Sequence, residues 1–171
     1  QFNEHKRTSS IVEMIIDKKS ALVSDAGTPG ISDPAYVLVN ACIDAGIEVQ
    51  TLPGATAFVP ALINSGLPSD KFYFHGFLPH KKGRLKQLEF LKNSRLTTIL
   101  YESPHRLLKT LEQLAEVFGE NHKISISREI SKIHEETHRG TISELIMHFN
   151  NNMIKGEFVI VISSFEPISK T

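Results

Sequence analysis

Short apolar runs alternate with segments of helical spacing along most of these 171 residues, and this alternation constrains the fold more than any other feature. SALVSD, IEVQTL, KFYFHGF, RLTTILYES and GEFVIVISS read as strands, while AYVLVNACIDA, ATAFVPALINSG, a basic stretch near 81–93, PHRLLKTLEQLAEVFG and TISELIMHF carry helical periodicity. Helix following strand is the rhythm of a parallel sheet with crossovers. The pattern begins on a helix, so a first strand is missing from it. Ser10-Ile-Val-Glu13 reads as a capping box opening a helix to about Lys18. Asp33-Pro34 reads as an N-cap with proline at the first helical position, and Gly46 as that helix's stop. Pro53-Gly54 is a turn, and Pro60 is expected to kink or divide the helix that follows.

GLPSD, at 66–70, is short and turn-forming, and it divides the chain into an N-terminal α/β domain over 1–68 and a C-terminal domain over 69–171. In the second, KISISREI and an extended piece near EETHRG follow in quick succession, which predicts an antiparallel element and hence a mixed sheet. Thr141-Ile-Ser-Glu144 is a second capping box, and GEFVIVISS is expected to close the sheet as an alternating strand. The fold class is therefore α/β, with a truncated parallel-sheet domain before a mixed one.

With 40% hydrophobic and 22% charged residues, the chain can bury a real core. The lone Cys42 excludes a disulfide framework and a cysteine metal cluster, and suits a reducing cytoplasm. No apolar run approaches the roughly 20 residues of a membrane span. The start, QFNEHKRTSS, has neither a start methionine nor a signal-like apolar region, so a fragment is expected. Net charge is zero but uneven: residues 1–69 hold 4 Lys/Arg against 7 Asp/Glu, whereas residues 80–109 alone hold 8 against 2. A field of that sign attracts phosphates, although a solvated helix face has the same composition.

His134-Glu-Glu-Thr-His138 fits the H-E-x-x-H pattern of zinc proteases. That chemistry needs a helix to bring both imidazoles onto one face, and Arg139-Gly140 breaks any helix there. On an extended strand the two residues lie about 13 Å apart, too far to share one metal. No metal is expected. SDAGTPGISDP, at 24–34, is neither a phosphate loop nor a dinucleotide fingerprint. It follows a strand, where open α/β sheets present loops to ligands, and its glycines expose backbone groups to a flat, partly polar molecule.

ALVSDAGTPGISDPAY, LPGATA, GLPSDKFYFHGFLP, YESPHR, SREISKIHEETHRGT and KGEFVIVI, in that order, closely resemble the tetrapyrrole-methylase superfamily, and within it a branch that modifies ribosomal RNA. The resemblance covers nearly the whole chain. It also implies an upstream strand and Gly/Pro-rich loop, roughly the first third of the N-terminal domain, that this chain lacks. It implies S-adenosyl-L-methionine as cofactor in a cleft between two α/β domains, 2′-O-methylation of a cytidine ribose in small-subunit ribosomal RNA or the 30S subunit near the decoding centre, and a homodimer. Carried over by position, the cofactor contacts are Asp25, Ala26, Gly27, Thr28, Ile31, Thr56 and Ala57, with Tyr101, Glu102, Thr137, Gly140 and Thr141 from the second domain. Ala55-Thr56 departs from the family's usual residues after Pro-Gly, and Thr56 keeps a hydroxyl there.

Methyl transfer from a sulfonium depends mainly on alignment, assisted by a base that takes the hydroxyl proton. Candidate bases are Glu102, His105 and Lys132. Arg106 and Arg128 are candidate phosphate clamps, and Lys81, Lys82, Arg84 and Lys86 are expected to line the RNA approach. Glu102 and Arg106 can instead simply pair across a strand-to-helix turn. Two other functions fit the residues: a tetrapyrrole or other small-molecule methylase, and a truncated, non-catalytic RNA-binding or dimerising fragment.

Overall fold

The computed structural model describes residues 4–32 and 35–165, and the chain forms two compact units, Gln1–Thr56 and Ala57–Thr171. No helix among the described residues is long and apolar enough to cross a membrane.

In the first unit, α1 (Glu4–Ile15) packs against α2 (Tyr36–Asp44). The capping box expected at Ser10 does not form: Ser10 lies inside α1, where its Oγ donates to the Arg7 carbonyl at 2.9 Å. Hydroxyls can make this backward bond inside helices as well as cap them, so the motif alone does not fix a helix start. The N-cap expected at Asp33-Pro34 lies outside the described residues. α2 does end as expected, with Gly46 at φ 72° and the Ile47 N–H donating back to the Cys42 carbonyl. The two predicted strands are absent. SALVSD and IEVQTL are irregular, and no strand is paired among this unit's described residues, so its parallel sheet is not present there. An apolar run becomes a strand only when a neighbour completes its backbone ladder. Here Val23 and Leu52 stay 82% and 80% exposed.

The second unit is built on a five-stranded sheet of order β1-β2-β5-β3-β4. Its strands are β1 (Phe72–Phe77), β2 (Thr97–Glu102), β3 (Lys123–Arg128), β4 (Glu136–Thr141) and β5 (Phe158–Ile162). β1 runs parallel to β2 and every other pairing is antiparallel, which gives the mixed sheet expected. β5 is not the alternating strand its end position suggested. Inserted between β2 and β3, it is covered on both faces and buried at all five positions.

On one face, α4 (Arg84–Asn93), α5 (Leu107–Phe118) and α6 (Ile142–Asn151) close over Leu100, Ile124, Ile126, Phe158, Ile160 and Ile162. Leu107, Leu111, Leu114 and Phe118 recur at i, i+4, i+7 and i+11, which turns one stripe of α5 into that core. On the other face, α3 (Phe58–Ser65) lays Ala61 and Leu62 over Ile99, Val159 and Val161. α3 therefore packs with the second unit, and compactness divides the chain at 56/57, ahead of the GLPSD segment. Pro60 does not divide α3, which runs unbroken from Phe58 to Ser65. It sits in the first turn, where N–H groups have no intrahelical acceptor to lose.

Candidate functional site

Two segments named as cofactor contacts meet within the first unit. The Thr28 N–H and Oγ1 both donate to the Ala55 carbonyl, at 2.9 and 3.1 Å, which docks the loop after Ser24 onto the turn after Pro53-Gly54. Ser24 Oγ braces the loop from its other side through the Gly27 carbonyl at 2.9 Å. Gly27 is required here on two counts: its φ is 73°, and a Cβ would lie 3.2 Å from the Ala55 oxygen. Asp25, Ala26 and Gly27 are exposed, and their N–H groups have no protein acceptor among the described residues. Ile31 and Ala57 are exposed and Thr56 half-buried. The arrangement offers a ligand free donors on a backbone that is already fixed. Ala55, whose oxygen joins the two segments, is absent from the sequence-derived set because only its carbonyl contributes.

Glu102 closes β2 and is enclosed by hydrogen-bond donors and cations. The residue is 2% exposed. Oε2 accepts from Thr110 Oγ1 at 2.6 Å and Oε1 from the Ser103 N–H at 2.8 Å. Arg106 Nε stands 3.2 Å from Oε1 and Arg84 Nη2 3.7 Å from Oε2. Arg84 in turn donates to Thr110 Oγ1, Gln113 Oε1 and the Pro79 carbonyl. Burial first, then the neighbouring Arg106, lower the Arg84 pKa, while Glu102 opposes them. Two expectations change. Glu102, enclosed by two guanidiniums and two donors, has no free lone pair aimed at solvent for a base's work. Arg84 is 5% exposed and turned inward, so it does not line an RNA approach. The alternative pairing of Glu102 with Arg106 is present. Thr110 and Gln113 complete the network, and no local spacing marks them.

The other residues divide by exposure. Lys81 and Lys82, in the loop before α4, and Lys86 on α4 are exposed. Arg106 donates to the Leu78 carbonyl at 2.8 Å, and its Nη1 lies 3.4 Å from the His80 ring. His105 is exposed, with no side-chain partner among the described residues. Arg128 is held by Glu136 Oε1 at 2.6 Å and the Lys155 carbonyl at 2.7 Å, and it keeps the Glu136 carboxyl below its usual range. Lys132 reaches Glu129 and Glu157 at 2.9 and 3.0 Å. Those hydrogen bonds push its pKa up, the wrong direction for a base.

Tyr101 packs edge-on against Phe74 and Phe77. Thr137 Oγ1 pairs with Ser127 Oγ at 2.9 Å. Thr141 forms the predicted capping box: Glu144 N–H donates to its Oγ1, and its own N–H donates to Glu144 Oε2 at 2.8 Å. A Cβ at Gly140 would lie 2.6 Å from that carboxylate oxygen, so a side chain there would displace the Glu144 carboxylate from the cap. His138 is on β4 and His134 in the preceding turn, so H-E-x-x-H has no helix under it. The His138 ring faces α6 instead, 4.0 Å from that of His148.

Residues 2–146 match the family model described as Tetrapyrrole (Corrin/Porphyrin) Methylases, and the chain belongs to this family. It is 47% identical over 167 residues to the ribosomal RNA small subunit methyltransferase I of Synechocystis sp., across 96% of this chain and 60% of that protein. To the protein of the same name from Thermotoga maritima it is 44% identical over 165 residues, across 96% of this chain and 74% of the relative. The chain thus spans 60% of the length of the first of these relatives. A crystal structure of uroporphyrin-III C-methyl transferase from Thermus thermophilus complexed with S-adenyl homocysteine shares the fold, with a TM-score of 0.62 and 14% identity over 92% of this chain and 72% of that one.

Proposed function

We propose that the protein to which this chain belongs is an S-adenosyl-L-methionine-dependent methyltransferase that 2′-O-methylates a cytidine ribose of small-subunit ribosomal RNA near the decoding centre. It works in the cytoplasm as a homodimer on the 30S subunit. The observation that carries this reading is the 47% and 44% identity to two proteins named for methylation of that RNA.

The residues suit the cofactor. Asp25, Ala26 and Gly27 offer free N–H groups, Ile31 an apolar side chain and Thr56 a hydroxyl beside the docked turn, with Ala57 following. Tyr101, Thr137, Gly140 and Thr141 are further contacts. When bound, S-adenosylmethionine supplies an electrophilic methyl group on a sulfonium. The protein aligns the ribose oxygen behind it and accepts its proton. His105 takes that proton: among the three candidate bases it alone combines exposure with an unengaged side chain. Glu102 positions the turn that carries His105. Lys81, Lys82, Lys86 and Arg106 contact phosphates.

Ribose-methylation mapping by mass spectrometry, on ribosomal RNA from cells with and without the full-length protein, tests this. Loss of one 2′-O-methylcytidine from the small-subunit RNA is expected. An unchanged map overturns it, and a changed corrinoid or porphyrin profile in the same cells would identify a small-molecule methylase instead.

A further inference from the structure

β1, β2 and β3 point the same way, because β1 is parallel to β2 and both β2 and β3 are antiparallel to β5. The connections leaving them, at 78–83, 103–106 and 129–135, therefore emerge together at one end of the sheet, beside residues 155–157 entering β5. With strands about 4.8 Å apart, the first and last of these connections are separated by roughly 14 Å along the sheet edge. The β1–β2 side of this end is cationic. Lys81 and Lys82 are exposed there, and Arg106 lies against His80.

On the β3 side stands Ile133, 97% exposed. Its loop is braced. Glu129 and Ser131 hold left-handed backbone at φ 51° and 67°, a conformation that non-glycine residues seldom adopt. Glu129 Oε1 accepts from Lys132 Nζ and the Glu157 N–H, both at 2.9 Å, while Lys132 Nζ also reaches Glu157 Oε2 at 3.0 Å. The Ser131 N–H donates to Glu135 Oε2 at 2.7 Å. Gly156 leaves room for the Glu129 side chain, since a Cβ there would come within 2.5 Å of its carboxyl. Lys132 and Arg128 offset Glu129, Glu157 and Glu136, so much of the acidic charge beneath the tip is satisfied within the protein. A hydrogen-bonded, backbone-strained loop thus holds one large aliphatic side chain in water, at the same sheet end as a cationic shelf.

We propose that Ile133 is a wedge that enters between stacked bases of the RNA beside the methylated nucleotide, while the shelf holds the flanking phosphates. This rests on the ribosomal RNA reading above. A ribose in a folded RNA must be displaced to reach a methyl donor, and an aliphatic wedge between base steps lowers the cost of unstacking.

The test uses the full-length protein and a small-subunit RNA fragment with 2-aminopurine next to the mapped nucleotide. For Ile133→Ala we expect kcat/KM for RNA to fall about 10- to 100-fold and the 2-aminopurine fluorescence rise on binding to disappear. Melting temperature and S-adenosylhomocysteine affinity should match wild type. Ile133→Phe should restore most of both RNA signals. Wild-type kcat/KM and fluorescence in Ile133→Ala, or an Ile133→Phe variant as defective as Ile133→Ala, overturns the wedge alone. A wild-type protein that methylates no ribosomal RNA overturns the parent reading and the RNA partner with it.

Discussion

The loop after Ser24 and the turn after Glu102 are both candidate site segments, yet they are held by opposite means. The loop is exposed and anchored through backbone carbonyls, with Thr28 docked on the Ala55 oxygen. The turn is tied to a buried carboxylate and two guanidiniums. The contrast extends to the surroundings: among the described residues, the first unit buries only Ala35, Cys42 and Thr8, while the second closes two apolar clusters around its sheet. A segment anchored on backbone carbonyls tolerates changes at its unengaged side chains but not an added Cβ at Gly27. One held by buried charge tolerates neither partner's loss.

The sharpest way to break this contrast is Glu102→Ala, which leaves Arg84 buried without its counter-charge. We expect about 3–5 kcal/mol of destabilisation in denaturant titration. A loss under 1 kcal/mol would mean that the network does not hold the turn. Gly27→Ala comes next. Its φ of 73° and the nearby Ala55 oxygen predict a cost of about 1–2 kcal/mol, confined to the loop. Calorimetric titration of the full-length protein with S-adenosylhomocysteine should show weaker binding at nearly unchanged melting temperature. Thr28→Val removes one of the two bonds to Ala55 and should weaken the same binding by about 0.5–1.5 kcal/mol. Thr141→Ala removes the α6 cap and should lower stability by about 1 kcal/mol in denaturant titration.

The smallest effect expected is a pH dependence confined to the second unit. Burial lowers the pKa of His75. Burial first, then Lys92, lower that of His122, against its bond to the Ser163 carbonyl. The unfolded chain therefore takes up these protons first, near the ordinary histidine value of 6.5. Their contribution to stability is complete above that pH and is lost as pH falls through the folded values. Denaturant midpoints should drop between pH 7 and 5, and His75→Gln should flatten the curve. An unchanged slope in that variant would assign the effect elsewhere.

The elements of the second unit were legible because each carries its own signal: the i, i+4, i+7 stripe of α5, the Thr141–Glu144 box, and the quick succession of β3 and β4. The loop segments of the site were legible through resemblance, and Gly27 through its own chemistry. Arg84 was misread because its neighbours at 81, 82 and 86 are exposed lysines, and no pattern says which of four cations on a helix start turns inward. Helix phase decides it. Arg84 falls on the side of α4 that faces α5, where Thr110 and Gln113 accept its hydrogen bonds and Glu102 lies within ion-pair distance.

The sequence by itself determined the family, the alternation of helix and strand in the second unit, and the position of the glycine loop, because these rest on local periodicity, turn chemistry and ordered motifs. Tertiary structure alone decided that β5 lies in the middle of the sheet, that SALVSD and IEVQTL carry no ladder among the described residues, and that Glu102 is a buried anchor and not a free carboxylate. The physical reason is common to all three. Strand pairing and charge burial are set by partners dozens of residues away, and a residue's own neighbours carry no record of them.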